Sequence, residues 1–133
     1  MGKLVESSLI CQSNKLRLVA KAVIYKNNLF LLQLRDNDNS ISYPNKWSFF
    51  GGELDKGENF EVALKRELTE ELNFSPEKYH YISMDIDSTT NCSINYYIVH
   101  CILFLPNIFH MNHAFYLFPF YQIVLTLINL LKI

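Results

Sequence analysis

Between Asn59 and Leu72 the chain carries Phe60, Ala63, Leu64 and Leu68 at helical spacing. Apolar residues recurring this way mark a buried stripe on an amphipathic helix. Both ends are punctuated. Asn59 is a suitable N-cap, and Glu61 lies in the first turn, where the helix dipole favours negative charge. Asn73 suits the left-handed position after the last turn, and Pro76 follows shortly beyond.

The chain around this helix reads mostly as strands. Leu16 to Tyr25 has Val19, Ala20, Ala22, Val23 and Ile24, and Leu29 to Leu34 follows it. Asn27-Asn28 lies between them and tolerates positive φ, so a hairpin is expected, with Arg35 closing the second strand. Residues 36 to 46 are polar and read as a loop. Trp47 to Phe50 is short, aromatic and extended, until Gly51-Gly52 breaks it. Glu53 to Glu58 is a charged loop. Tyr79 to Met84 and Ser93 to Leu105 read as further strands, with Asp85 to Asn91 as the connection.

A chain of 133 residues suits one domain, here taken as 1–133. Its net charge of −1 gives no electrostatic footprint for duplex nucleic acid. A small anionic ligand would have to be met by local groups or a metal. Cys11, Cys92 and Cys101 fit neither a disulfide framework nor a zinc site, so a reducing cytoplasm is expected. The N-terminus has no signal-peptide pattern. Met1-Gly2 is no acylation signal either, because Glu6 stands where Ser or Thr is wanted.

The tail differs in composition. From Ser88 onward there is no Asp or Glu, and Lys132 is the sole Lys or Arg. Residues from about 106 to 133 form an atypical, acid-free, apolar segment. A buried strand followed by a helix packed on the sheet is the favoured reading. Membrane association is the alternative, weakened by Pro119, Gln122 and Asn129. An aberrant C-terminus is the third.

Chemistry gathers on the helix. Glu67, Glu70 and Glu71 lie three and four positions apart, and such residues are helix neighbours. Like charges so placed repel, and nothing basic at Leu68, Thr69 or Leu72 offsets them. A divalent cation would, since hard ions such as Mg²⁺ prefer carboxylate oxygen and complete their shell with water and phosphate. For the triplet alone, a solvated acidic face is the plainer reading. The upstream segment changes that.

Residues 52 to 74, GELDKGENFEVALKRELTEELNF, resemble the Nudix box, G-x5-E-x7-R-E-U-x-E-E-x-G-U with U a bulky aliphatic residue. Gly52, Glu58, Arg66, Glu67, Leu68, Glu70 and Glu71 fall in register. Asn73 replaces the usual Gly, and it is the next best residue for a left-handed backbone. Phe74 keeps the bulk of the aliphatic residue it replaces. Leu31-Leu32-Gln33-Leu34-Arg35 and Lys46-Trp47-Ser48-Phe49-Phe50-Gly51-Gly52 are similar to the segments that commonly precede the box.

The resemblance implies an α/β chain with the Nudix fold, an α/β/α sandwich around a mixed sheet. It implies Mg²⁺ or Mn²⁺ held by Glu67, Glu70 and Glu71, and an Arg66–Glu58 pair fixing the loop to the helix. Glu58 could instead help bind metal. Gly52 would allow close backbone approach, with Gly51 beside it. Arg35 could contact phosphate, and Trp47, Phe49 and Phe50 could stack on a base, although core packing suits at least two of these aromatics. Glu70 or Glu71 is the first candidate for general base, and Asp85 or Asp87 the second. His80, His100, His110 and His113 have no usable ligand spacing and read as structural.

The expected activity is metal-dependent hydrolysis of a phosphoanhydride in a nucleoside diphosphate derivative, releasing a nucleoside monophosphate. A MutT-like action on nucleoside triphosphates comes first, with oxidised nucleotides and nucleoside diphosphate sugars such as ADP-ribose beside it. Two other readings stay open. One is a catalytically impaired nucleotide-binding or regulatory domain on the same scaffold. The other is a membrane-attached protein with a cytosolic Nudix part. A homodimer is compatible with each.

Overall fold

In the computed structural model, residues 15–101 and 115–119 are described. Strand β1 (Arg17–Lys26) and strand β2 (Leu29–Leu34) form the expected hairpin. Asn27 and Asn28 have φ of 49° and 60°, the double positive φ of the tight turns that match strand twist. Then come β3 (Trp47–Ser48), β4 (Phe50–Glu53), helix α1 (Phe60–Leu72), β5 (Tyr79–Asp87), β6 (Cys92–His100) and β7 (Phe115–Pro119).

Among the described residues one mixed sheet contains all seven strands, with a path β3-β2-β1-β6-β5. The β1–β6 pair is parallel, and every other pair is antiparallel. Strand β1 is central: β6 lines one edge, while β4 and β2 share the other. The sharing opens a split where β1 passes from one neighbour to the next, beside the functional residues.

Helix α1 covers one face of the sheet. Ala63, Leu64, Leu68 and Leu72 pack with Ala20, Ala22 and Ile24 of β1, Leu31 of β2, Phe50 of β4, and Tyr97 and Val99 of β6. Burying a leucine this completely contributes about 1.5–3 kcal/mol. Both helix ends behave as the sequence suggests. Asn59 Oδ1 accepts from the Val62 N–H at 2.9 Å. Asn73 is left-handed, with φ 49°, and its N–H reaches the Thr69 carbonyl at 2.9 Å.

The end of β5 differs from expectation. Strand β5 runs on to Asp87, so Asp85 and Asp87 belong to a strand rather than a connecting loop. The cause is a long pairing with β6, which continues past an irregularity between Tyr81 and Ser83. The connection shrinks to a turn, in which Asp87 accepts from the N–H groups of Thr89 and Thr90. In the tail, β7 pairs antiparallel with β2, so that part of the apolar segment does form a strand. The expected C-terminal helix, the second helical layer of the sandwich, falls outside the described residues, as do His110 and His113. Among the described residues no helix is long and apolar enough to cross a membrane.

Candidate functional site

The site lies where α1 passes over β4. Arg66 organises one side of it. Its Nε donates to Glu58 Oε1 at 2.8 Å and its Nη2 to Glu58 Oε2 at 2.9 Å, a two-pronged pair. Nη2 also reaches the Glu53 carbonyl at 3.0 Å. Nη1 donates to Glu67 Oε1 at 2.7 Å and reaches Glu70 Oε2 at 3.4 Å. Asp55 adds an ion pair at 3.5 Å. The Arg66 guanidinium and the Asp55 N–H hold the Glu58 carboxyl down to about 2. Glu58 and Glu67 in turn push the Arg66 pKa up. The charged loop of residues 54 to 59 is thereby tied to α1.

Glu71 is built into the other side. Its Oε2 accepts from the Gly51 N–H at 3.1 Å, and its Oε1 lies 3.5 Å from Gln33 Nε2. Burial raises its pKa, against the pull of the Gly51 N–H and of Lys21. Glu70, with 59% of its side chain exposed, is the outward carboxylate of the three.

Two adjacent glycines receive these carboxylates. A Cβ on Gly52 would lie 2.5 Å from Glu67 Oε1, so the missing side chain makes room for that carboxylate. Gly51 has φ +118°, and a Cβ there would lie 2.1 Å from the Ala20 carbonyl oxygen. It is needed for backbone shape and close strand approach.

The structure therefore brings together Glu58, Arg66, Glu67, Glu70, Glu71, Gly51 and Gly52. It does not converge the three helix glutamates as simply as their spacing suggests. Glu67 and Glu70 turn to Arg66 while Glu71 turns to β4, and among the described residues no three acidic, His or Cys side chains stand ready to hold a cation. Arg35 braces its own loop, its Nε donating to the Ser42 carbonyl and its N–H to that of Lys46, both at 2.9 Å. Trp47 is 42% exposed in β3. Phe50 is fully buried core, whereas Phe49 makes an edge contact with Tyr96, their centroids 6.2 Å apart. Asp87 accepts from Thr90 Oγ1 at 2.6 Å and from the Tyr43 hydroxyl at 3.0 Å, bonds that lower its pKa and occupy it structurally. His100 packs against Tyr25, with centroids 5.0 Å apart.

Sequence reasoning missed Lys21 and Gln33. Lys21 Nζ donates to the Gly51 carbonyl at 2.8 Å and the Phe49 carbonyl at 3.1 Å. The available signal was a charge interrupting the apolar run from Val19 to Ile24.

This loop–helix arrangement on a mixed sheet defines a class. The NUDIX domain family model matches residues 15–105, and the chain belongs to that family. Nucleoside triphosphatase NudI of Enterobacter sp. (strain 638) is 36% identical over 56 residues, which are 42% of this chain and 39% of that protein. The match thus spans about two-fifths of the length of this curated relative. Among solved structures, MutT from a comparison of Aliivibrio salmonicida and Vibrio cholerae aligns with TM-score 0.61 at 16% identity, covering 81% of this chain and 82% of that one. The MutT NUDIX hydrolase of Burkholderia pseudomallei aligns with TM-score 0.61 at 23% identity, covering 77% and 82%. These structural likenesses establish the fold, an α/β Nudix fold.

Proposed function

We propose that the chain is a Nudix pyrophosphohydrolase that cuts a phosphoanhydride bond in a nucleoside diphosphate derivative and releases a nucleoside monophosphate. The observation that carries this reading is the seating of Glu67 and Glu71 against the consecutive glycines Gly52 and Gly51, with Arg66 clamping Glu58 behind them. Nucleoside triphosphates are the first substrates to test. The name of the Enterobacter relative points the same way.

Glu67, Glu70 and Glu71 offer only carboxylate oxygens, a donor set that fits Mg²⁺ or Mn²⁺. Arg66 engages one oxygen of Glu67 and one of Glu70, and the second oxygen of each would serve the ion. A bound divalent ion supplies charge neutralisation at the diphosphate and a more acidic water. The chain's own part is to hold its carboxylates in place. Arg66 keeps the loop of residues 54 to 59 against α1, and the Gly51 N–H fixes one oxygen of Glu71. Glu70, the most exposed of the three, is the carboxylate freest to take a proton from water. Arg35 and Trp47 are assigned to substrate phosphate and base. The reading goes with a cytoplasmic protein.

A hydrolysis assay across nucleoside triphosphates, oxidised nucleotides and nucleoside diphosphate sugars, with and without Mg²⁺, tests it. Metal-dependent release of a nucleoside monophosphate is expected, with Glu70→Gln reducing it by roughly two orders of magnitude. Nucleotide binding with no turnover under any condition would replace this reading with a binding domain.

A further inference from the structure

A lysine inside a sheet strand normally sends its amine to water. Lys21 does not. It lies in the middle of β1, paired in register with Gly51 on one side and Tyr96 on the other. Its side chain is partly buried, and its ammonium donates to two carbonyls of one short segment, Phe49 at 3.1 Å and Gly51 at 2.8 Å. Those carbonyls lie two residues apart, where regular strand geometry breaks between β3 and β4 and where Gly51 takes φ +118°. Two carbonyl dipoles aimed at one point repel unless a cation sits there. Lys21 supplies it.

The same Gly51 directs its N–H at Glu71 Oε2, 3.1 Å away. Lys21 and Glu71 therefore grip one residue by its two polar backbone atoms, the carbonyl and the N–H. We infer that Lys21 is a positioning residue for the candidate metal site: by chelating the Phe49 and Gly51 carbonyls it fixes the turn of the Gly51 backbone that presents the N–H to Glu71. The inference rests on the proposed reading of Glu71 as a metal ligand. Burial pulls the Lys21 pKa down to about 8, with Glu71 and Glu67 opposing the effect and Arg35 adding to it.

The route from Lys21 to the carboxylate is short and involves only backbone. Gly51 cannot shift toward β1, because the Ala20 carbonyl already blocks even a methyl group there. The Phe49 and Gly51 carbonyls belong to the two peptide planes that flank the plane carrying the Gly51 N–H, so Lys21 pins that plane from both sides. With both flanking planes released, the middle one can tilt and draw its N–H away from Glu71, leaving Gln33, at 3.5 Å, as the other sheet donor to that carboxylate among the described residues.

The test uses the metal-free protein and Mn²⁺ alone as probe. Lys21→Met removes the cation, Lys21→Gln keeps a neutral donor in case the first variant does not fold, and Lys21→Arg restores a donating cation. In Lys21→Met the Gly51 amide should exchange with solvent at least about tenfold faster, while Leu64 and Leu68 in α1 keep their protection. The dissociation constant for Mn²⁺ should rise about tenfold, as expected for a group supporting a metal ligand. Lys21→Arg should recover most of both effects. Unchanged Gly51 exchange and Mn²⁺ affinity in Lys21→Met would overturn the inference. So would an equal loss of protection across α1, which marks a general loss of stability, or an arginine variant as defective as the methionine one. If the wild-type chain binds no Mn²⁺, it is the metal reading that fails, and Gly51 exchange alone then decides the role of Lys21.

Discussion

Around Arg66 the partners are close in sequence: Glu67 at a separation of 1, Glu70 at 4, Glu58 at 8 and Glu53 at 13. Around Glu71 they are remote. Gly51 lies 20 positions away and Gln33 lies 38, and Lys21 grips Gly51 across 30. One half of the site is thus a local device, a loop strapped to its own helix. The other half exists only when β1, β2 and β4 are in register. The Arg66 half should tolerate disturbance of the sheet, and the Glu71 half should not.

Gly51 and Gly52 separate the two halves most sharply, because they are neighbours serving opposite sides. Gly51→Ala meets backbone: the new methyl would lie 2.1 Å from the Ala20 carbonyl oxygen, at a φ that side chains rarely adopt. Strain of that kind costs about 1–3 kcal/mol before the steric clash is added. We expect the largest loss of stability here, at least about 2 kcal/mol, read as a lowered urea midpoint. A midpoint equal to wild type would mean that the sheet half is softer than its register suggests.

Gly52→Ala meets a side chain instead. Its methyl would lie 2.5 Å from Glu67 Oε1, the end of a flexible carboxylate that can swing away. Stability should change little, while Mn²⁺ affinity falls by about tenfold because one ligand is displaced. Calorimetric titration with Mn²⁺ beside a thermal melt measures both. If Gly52→Ala lowers the melting temperature as far as Gly51→Ala, the division of labour between the glycines is wrong.

The same contrast explains what was legible in the sequence. The helix, its caps at Asn59 and Asn73, the Asn27-Asn28 turn and the Arg66–Glu58 pair all depend on neighbours within a few residues, so spacing alone could carry them. The difference between Glu70 and Glu71 needed one further step. Glu67 and Glu71 each stand three positions after a buried leucine, Leu64 and Leu68, and so flank the apolar stripe. Glu70 falls off that line and faces outward. Treating the triplet as one converging cluster overlooked this. Lys21 showed only as a charge in an apolar run, and its role was not legible, because a strand lysine reads as solvent-facing until the carbonyls it binds are placed by the fold. Asp85 and Asp87 read as loop because their polarity hid a strand whose pairing with β6 is fixed from far away.

Acid offers the mildest way to probe the local half. In the folded chain Glu58 titrates at about 2, against an ordinary value of 4.5, because the Arg66 guanidinium and the Asp55 N–H bind its charged form. A carboxylate depressed on folding contributes stability above its unfolded pKa and loses it as pH falls through the folded one. The contribution should be whole above about pH 4.5, shrink below it and vanish near pH 2. Arg66 stays charged throughout, so the window belongs to Glu58. Comparing urea midpoints of the metal-free wild type and Glu58→Gln isolates the pair, since the gap between them should be constant from pH 7 to about 5 and close in more acidic solution. The gap should also be modest. A partner only eight residues away keeps some of its attraction in the unfolded chain, which narrows the difference between the two states. A gap that stays flat from pH 7 down to pH 2 would mean that Arg66 does not hold Glu58 in solution.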